Sequence, residues 1–286
     1  MSDSIQYRRF TAADIPAAHA LTVELKWPHR AEDWQFVESI GVGFVALRDS
    51  RVVGTVLCWK YGERTSSLGM VIVSPAQQGY GIGRRLTEMA LEELGARAVM
   101  LHATPAGRPL YEKLGFAPVG TLDQHQGAAV QPPLLPLPAR ERLRPLGVND
   151  TPRLIELASR ASGLDRTAVL PALLESADGI GLDRDGELIG FALFRRFGRG
   201  RAIGPVVAPH DEDSVRAKAL IGHWLASNPG MFIRIDTPSG SGLTDWLESL
   251  GLVRVDTVVK MLRNAEHMPA PDDEFVQYGI INQAIG

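Results

Sequence analysis

The sequence lacks the features that mark several large classes of protein. Cys58 is its single cysteine, which excludes a disulfide framework and a cysteine-based zinc site. No apolar run approaches the ~18 residues of a membrane-spanning helix, and residues 1–10 have no apolar segment typical of a secretion signal. With 30 Lys+Arg against 33 Asp+Glu, no general nucleic-acid-binding surface is indicated. We therefore expect a cytoplasmic protein that has neither a membrane nor a nucleic acid as its partner.

What the sequence does contain is apolar material for two cores. It has 286 residues, of which 45% are hydrophobic, and this length predicts two domains. A proline-rich stretch, Gln131 to Pro138, lies near the midpoint. Proline removes backbone donors and fixes φ, so this stretch cannot join a helix or a central strand. It is typical of an interdomain linker, although an ordinary long loop remains the alternative.

The two sides of this stretch repeat one another. LGMVIVSP at 68–75 resembles IGPVVAP at 203–209, and LYEKLGF at 110–116 resembles WLESLGL at 246–252. Because such pairs keep their order and nearly constant spacing, we predict a duplicated domain. The predicted limits are 1–128 for the first domain, 129–139 for the linker, 140–265 for the second domain and 266–286 for a C-terminal tail. The tail turns from Pro-rich and acidic to apolar, which favours folding back onto a groove.

Each copy alternates helix and strand signals. The first has an amphipathic helix, a hairpin and an apolar strand, followed by a helix, a strand, a short helix and a last strand. This order predicts an α/β fold in each copy, with a mixed, mostly antiparallel sheet flanked by helices.

The most informative stretch is a glycine-rich turn between a strand and a helix. Val71–Val73 ends the apolar strand, and Gln78–Gly83 leads directly into the helix. Unsatisfied N–H groups at a helix start, reached through glycines, form an anion site suited to a pyrophosphate, and Arg84 adds positive charge. The acid that a dinucleotide-binding fingerprint requires is missing here, and so is the Gly-Lys-Ser/Thr of a Walker loop. A purely structural tight turn remains the alternative.

The string QGYGIG at 78–83 resembles the Q/R-x-x-G-x-G/A signature of GNAT acyltransferases, and PLYEKLGF at 109–116 resembles their Y-x-x-x-G-F segment. The whole chain resembles tandem members whose second domain has diverged. The resemblance implies acetyl-CoA or another acyl-CoA as co-substrate and no metal. The strand backbone would bind the pantetheine arm and the loop the pyrophosphate. The implied CoA-binding residues are Val71, Ile72, Val73, Gln78, Gly79, Tyr80, Gly81, Ile82, Gly83 and Arg84.

Acyl transfer to an amine needs a proton acceptor for the amine and a proton donor for the departing thiolate. Tyr111 matches the family's tyrosine acid, although a core tyrosine would have the same place in the pattern. The strand that carries a glutamate base in many relatives has no acid here. Candidates for the base are His102, Glu24, His29 and Asp33, or solvent; a histidine has a suitable pKa near 6.5.

The acceptor pocket of such proteins follows the first helix. Here that segment contains Trp27, His29 and Trp34, which offer aromatic walls for an apolar or cationic acceptor; packing of a helical hairpin is the alternative. The resulting hypothesis is an acyl-CoA-dependent N-acyltransferase, acting on a small-molecule amine by direct attack in the first domain. A non-catalytic acyl-CoA-binding protein and another acyl-CoA reaction on the same fold remain open, as does a monomer or homodimer.

The second copy lacks these groups. No glycine lies between Pro209 and Leu220, and Asp211, Glu212 and Asp213 stand where the helix begins. Acids at this place satisfy the helix dipole themselves and repel a pyrophosphate. Leu247 stands at the position of Tyr111. We expect a degenerate acyltransferase fold without CoA turnover.

Overall fold

The computed structural model describes residues 5–270 and 272–286. In the first half the strands and helices are β1 Gln6–Arg9, α1 Ile15–Glu24, α2 Ala31–Ser39, β2 Val42–Arg48, β3 Arg51–Tyr61, β4 Thr65–Val73, α3 Ile82–Leu94, β5 Ala98–Ala103, α4 Arg108–Lys113 and β6 Ala117–Ala128. In the second half they are β7 Glu141–Pro145, α5 Thr151–Ser162, α6 Val169–Leu174, β8 Ala177–Arg184, β9 Glu187–Phe197, β10 Gly200–Pro209, α7 Val215–Ser227, β11 Phe232–Pro238, α8 Thr244–Ser249 and β12 Val253–Arg263, followed by β13 Phe275–Gly279. The order of elements is the same in both halves, as the sequence repeats predict.

The two halves share one continuous sheet, with strand order β1-β2-β3-β4-β5-β12-β6-β11-β10-β9-β8-β7. The last strand of each half is exchanged. β12 lies between β5 and β6, where Lys260 is paired with His102, and β6 lies beside β11, where Gln124 is paired with Asp236. Each half therefore completes its sheet with a strand from the other, an arrangement that the sequence analysis did not anticipate.

Helices cover both faces of the sheet. Leu101 and Ala103 of β5 face a cluster that includes the apolar sides of α3 and α4. Met100 points the other way, into a cluster shared by α1, α2, α5 and α6 and by the C-terminal segment. Because side chains alternate along a strand, residues from β5 reach both faces of the sheet at this point.

The first half opens where β4 and β5 part. These strands are paired in parallel only over Thr65–Ser67, and β4 is then bent by a bulge at Met70, whose φ is 52°. The second half opens similarly, since β10 is paired with β11 only over Arg201–Ile203 before a register shift. There, however, β13 runs antiparallel along β10 and occupies the opening. The predicted return of the tail onto a groove is thus confirmed.

Between Ala128 and Glu141 the chain forms neither helix nor strand. This agrees with the composition of the proline-rich stretch, whereas the exact domain limits stay a prediction. Within the ranges that the structure describes, no helix is both long and apolar enough to cross a membrane.

Candidate active site

The glycine-rich turn forms an open cradle at the start of α3. Gly79 and Gly81 have φ values of 85° and 75°, and a Cβ added at either would meet no atom within 4 Å. Gly81 is the N-cap of α3, and no side chain caps this helix. The first amides of α3 therefore keep unsatisfied N–H groups beside free space. A helix start of this kind suits a phosphate, and binding of a CoA pyrophosphate at these residues stays a prediction.

The adjoining strand offers a free backbone edge. Beyond Ser67, no strand in the described part of the chain pairs with the side of β4 that faces β5. The side chain of Ile72 is buried in the core, whereas Val71 and Val73 are half-buried. The main chain of Val71–Val73 can therefore hydrogen-bond an extended ligand that runs toward the cradle.

The polar side chains around the cradle are held locally. Gln78 donates from Nε2 to the Val73 carbonyl at 3.1 Å, and Arg84 donates from Nε to Glu88 at 2.8 Å. Tyr80 is 67% exposed, with the Arg48 guanidinium 5.3 Å from its ring centre. The Ile82 side chain is buried, so only its amide can contribute to the cradle.

Tyr111 lies on α4, on the same side of the sheet as α3. It is 8% exposed, and its ring meets that of Phe116 edge-on at 5.9 Å. Its hydroxyl makes no hydrogen bond with any described residue. Burial raises the pKa of Tyr111 above its ordinary value, so the phenol stays protonated and can donate.

His102 lies on β5 and has a defined tautomer. Its Nδ1 is 2.8 Å from the main-chain oxygen of Gln283. Because a carbonyl only accepts, Nδ1 carries the hydrogen and Nε2 has a free lone pair. The pKa of His102 is lowered to about 4, chiefly by burial; the Gln283 carbonyl opposes this shift and the charge of Lys260 contributes to it. The ring is therefore neutral near pH 7, with its lone pair on Nε2.

His102 and Tyr111 lie on opposite faces of the sheet. His102 shares the face of Met100, two residues earlier on β5, whereas Tyr111 packs in the cluster of α3 and α4. A reaction centre in the opening between β4 and β5 would thus have a proton acceptor on one side and a proton donor on the side of the cradle.

The aromatic segment after α1 packs between the two halves. Trp34 has 0% exposure and stacks on Phe10 at 5.8 Å, which gives its ring a packing role. His29 lies between Trp27 and Phe197, at 5.8 and 5.3 Å between ring centres. Burial, followed by the charge of Arg234, lowers the pKa of His29 to about 4. An acceptor role for these three aromatic side chains stays a prediction.

Other contacts of this segment tie it to the second half. The Gly198 amide donates to an Asp33 carboxylate oxygen at 3.1 Å, and Arg30 donates to the Arg196 carbonyl at 3.3 Å. Asp33 also accepts from the Arg30 guanidinium at 2.9 Å. Burial opposes its charge, but these bonds hold the pKa of Asp33 below its ordinary value. Asp33 is therefore engaged in an interdomain contact and is a poor candidate for the base.

The corresponding cradle of the second half is occupied by the chain itself. An Asp211 carboxylate oxygen accepts from the Val215 amide at 2.7 Å, at the first residue of α7. The predicted acid at this helix start is thus confirmed for Asp211, whereas Glu212 and Asp213 are exposed. Val206–Pro209 of β10 pairs with β13, so its backbone is not available to an extended ligand. Leu247, on α8, is buried where the first half has Tyr111.

Sequence reasoning missed three further residues near His102. The main-chain oxygen of Gln283 fixes its tautomer, and Lys260 and Arg166 line a cavity beside it. Only Lys260 gave a signal, because it interrupts the apolar run Val258–Leu262. Nothing in the sequence indicates that the last residues of the chain return to β5.

Comparisons with known proteins agree with this geometry. Two models described as "Acetyltransferase (GNAT) domain" match residues 39–118 and 154–278. The uncharacterized N-acetyltransferase YitH of Bacillus subtilis is 30% identical over 227 residues, covering 78% of this chain and 77% of its own length. A mycothiol acetyltransferase of Thermomonospora curvata is 37% identical over 110 residues, 36% of each chain.

The fold has solved counterparts as well. The structure of a putative acetyltransferase from Pyrococcus horikoshii superposes with a TM-score of 0.79 at 22% identity, covering 100% of this chain and 97% of that one. This structural likeness supports the fold. The family matches and the similarity to YitH show the type of enzyme as well. The chain therefore belongs to the GNAT acetyltransferase family and carries two such domains in tandem.

Proposed function

We propose that this protein is an acyl-CoA-dependent N-acyltransferase with one active site, in its first half, and that acetyl-CoA is the acyl donor. The observation that carries this proposal is the contrast in cradles: the start of α3 is open between Gly79 and Gly81, whereas the start of α7 is capped by Asp211. An acetyl-CoA lying along Val71–Val73 would place its thioester in the opening between β4 and β5.

The proposed reaction is direct attack of a small-molecule amine on the thioester carbon. The new C–N bond forms as the C–S bond breaks, and the amine proton passes to Nε2 of His102. Tyr111 donates its phenolic proton to the departing sulfur. Main-chain N–H groups of the bent β4 stabilise the carbonyl oxygen as negative charge develops on it. The amide and free CoA are the products.

Two features support the roles proposed for His102 and Tyr111. The bond from Nδ1 to the Gln283 carbonyl leaves Nε2 of His102 as the basic atom. Burial keeps Tyr111 protonated, which a donor requires. That a relative is named as an acetyltransferase of mycothiol supports a small-molecule acceptor for this chain too.

The test is a free-thiol assay with acetyl-CoA and a panel of amines, with the acylated product identified by mass. We expect thiol and amide in equal amounts, and a loss of about 100-fold in turnover for His102→Gln. His210→Gln, at an exposed histidine of the second half, is the matched control and should keep full turnover.

Other results would overturn the proposal. CoA binding without thiol release for any amine would indicate a non-catalytic binder. Thiol release without an amide would indicate another acyl-CoA reaction. Full turnover in His102→Gln would remove His102 as the base.

A further inference from the structure

A cavity lies beside His102, on the face of the sheet away from α3. It has a volume of about 240 Å³, and its wall combines both halves of the chain. His102 and Met100 contribute from β5, Lys260 from β12, Arg166 from the loop after α5, and Phe275 from β13. The proposed base therefore borders a partly open space large enough for a small molecule.

The charged groups that face this cavity are two cations and one acid. The acid, Asp272, is already held by the Arg160 guanidinium at 2.8 Å and by the amides of Glu274 and Phe275. The cations are Lys260 and Arg166. Among the described side chains that line the cavity, the cations therefore outnumber the acid, which is already paired.

Lys260 is the cation without a partner. It is half-buried, and its ammonium makes no hydrogen bond or ion pair with any residue that the structure describes. Burial, followed by the charge of Arg166, lowers the pKa of Lys260. A half-buried ammonium without a counter-ion is unfavourable, and an anion in the cavity would relieve this cost.

Arg166 adds donors on the same wall. It is buried, and it donates to the main-chain oxygens of Ile285 and Gly286 at 2.8 and 2.9 Å and to the Ser162 hydroxyl at 3.2 Å. These bonds fix the guanidinium in place and use three of its five N–H groups. The remainder of the wall is largely apolar, with Met100, Leu122 and Phe275 among its residues.

We propose that this cavity binds the carboxylate of the acyl acceptor, with Lys260 as its counter-ion, so that the enzyme acts on small amines that also carry a carboxylate. The apolar wall would contact the carbon chain between the two groups. The same cations would lower the pKa of the acceptor's ammonium, which favours the neutral amine that attacks. The preference for acceptors that carry a carboxylate rests on the proposed function. The binding of a carboxylate in the cavity does not depend on it.

The binding experiment uses butyrate and its neutral amide, butyramide, as probes. Each is titrated into the full-length protein in the presence of CoA and followed by ligand-observed NMR. We expect wild type to bind butyrate at least tenfold more tightly than butyramide, and Lys260→Met to lose this preference. Lys218→Met, on α7 over the other face of the sheet, should behave as wild type.

The kinetic experiment compares matched acceptors, β-alanine with β-alaninamide and 4-aminobutyrate with its amide. The KM of wild type should be at least tenfold lower for the acids, Lys260→Met should erase the difference, and Lys260→Arg should restore part of it. Equal binding of the two probes by wild type, or a preference that survives in Lys260→Met, would overturn the inference. If no amine is acylated but the butyrate preference depends on Lys260, the proposed function fails and the anion site stands.

Discussion

The two halves of this molecule have the same order of helices and strands but differ at the helix start that follows the bent strand. In the first, within the described residues, no side chain caps the start of α3 and no strand pairs with the edge of β4 beyond Ser67. In the second, Asp211 caps α7 and β13 lies along β10. The backbone path is shared, since both openings follow a bulge, at Met70 and at Gly204. The difference shows that one backbone path accommodates a carboxylate and a strand of the chain itself at the place that stays open in the first half.

The strongest test of this comparison places an acid at the start of α3, as Asp211 stands at the start of α7. Gly81→Asp would place a carboxylate in the open cradle, where it would repel a pyrophosphate and compete for the α3 amides. We expect the Kd for CoA to rise at least 100-fold, about 2.7 kcal/mol, as measured by isothermal titration.

A second glycine provides the control for backbone strain. Gly163 ends α5 with φ 69° and ψ 12°, close to the 75° and 4° of Gly81, and an added Cβ there makes only ordinary contacts, at 3.7–4.0 Å, so Gly163→Asp carries a similar conformational cost away from the cradle. It should bind CoA as wild type does. Equal loss of CoA affinity in both variants would mean that strain, and not the anion site, explains the effect.

The second test concerns the proton donor that the second half lacks. Tyr111→Phe removes one hydroxyl and keeps the packing against Phe116, so turnover should fall at least about tenfold while CoA affinity stays unchanged. Steady-state kinetics at saturating substrates measure the first quantity and titration the second. Tyr7→Phe, on the edge strand β1, is the control; unchanged turnover in Tyr111→Phe would exclude Tyr111 from the mechanism.

The smallest expected effect is in the second half. Asp211→Ala removes the cap of α7 and should lower the free energy of unfolding by about 1 kcal/mol, as measured by chemical denaturation. Asp213→Ala, at an exposed acid of the same loop, should change it by less than about 0.5 kcal/mol. Neither variant should gain a CoA site, because β13 still lies along β10; a stoichiometry of two CoA per chain would refute the assignment of a single site.

The sequence alone predicts those structural features that depend on residues close together in the chain. The glycines at 79, 81 and 83 predict a helix start without a cap, and Asp211 predicts a capped one, because both effects act within one turn of helix. The helices and strands predicted for the first half are all present, with β6 running on to Ala128, but the prediction omitted β1 and α2.

The sequence alone does not predict those features that depend on contacts between residues far apart in the chain. The exchange of β6 and β12 depends on which of two similar strands pairs with β5, and local propensity cannot distinguish them. The orientation of His102 likewise depends on Gln283, and its pKa on burial under the C-terminal segment. Trp34 illustrates the same limit, since an aromatic ring in a pattern is equally suited to a pocket wall and to a core.

The exchanged strands have a consequence for synthesis of the protein. During translation β5 leaves the ribosome well before its neighbour β12, so the native pairing of this edge cannot form until β12 has been synthesised. An exposed edge of this kind is prone to wrong pairing between nascent chains. A gene fragment that encodes only the first half would retain the cradle but lack β12, the strand that carries Lys260. The two halves can therefore no longer be encoded as separate genes.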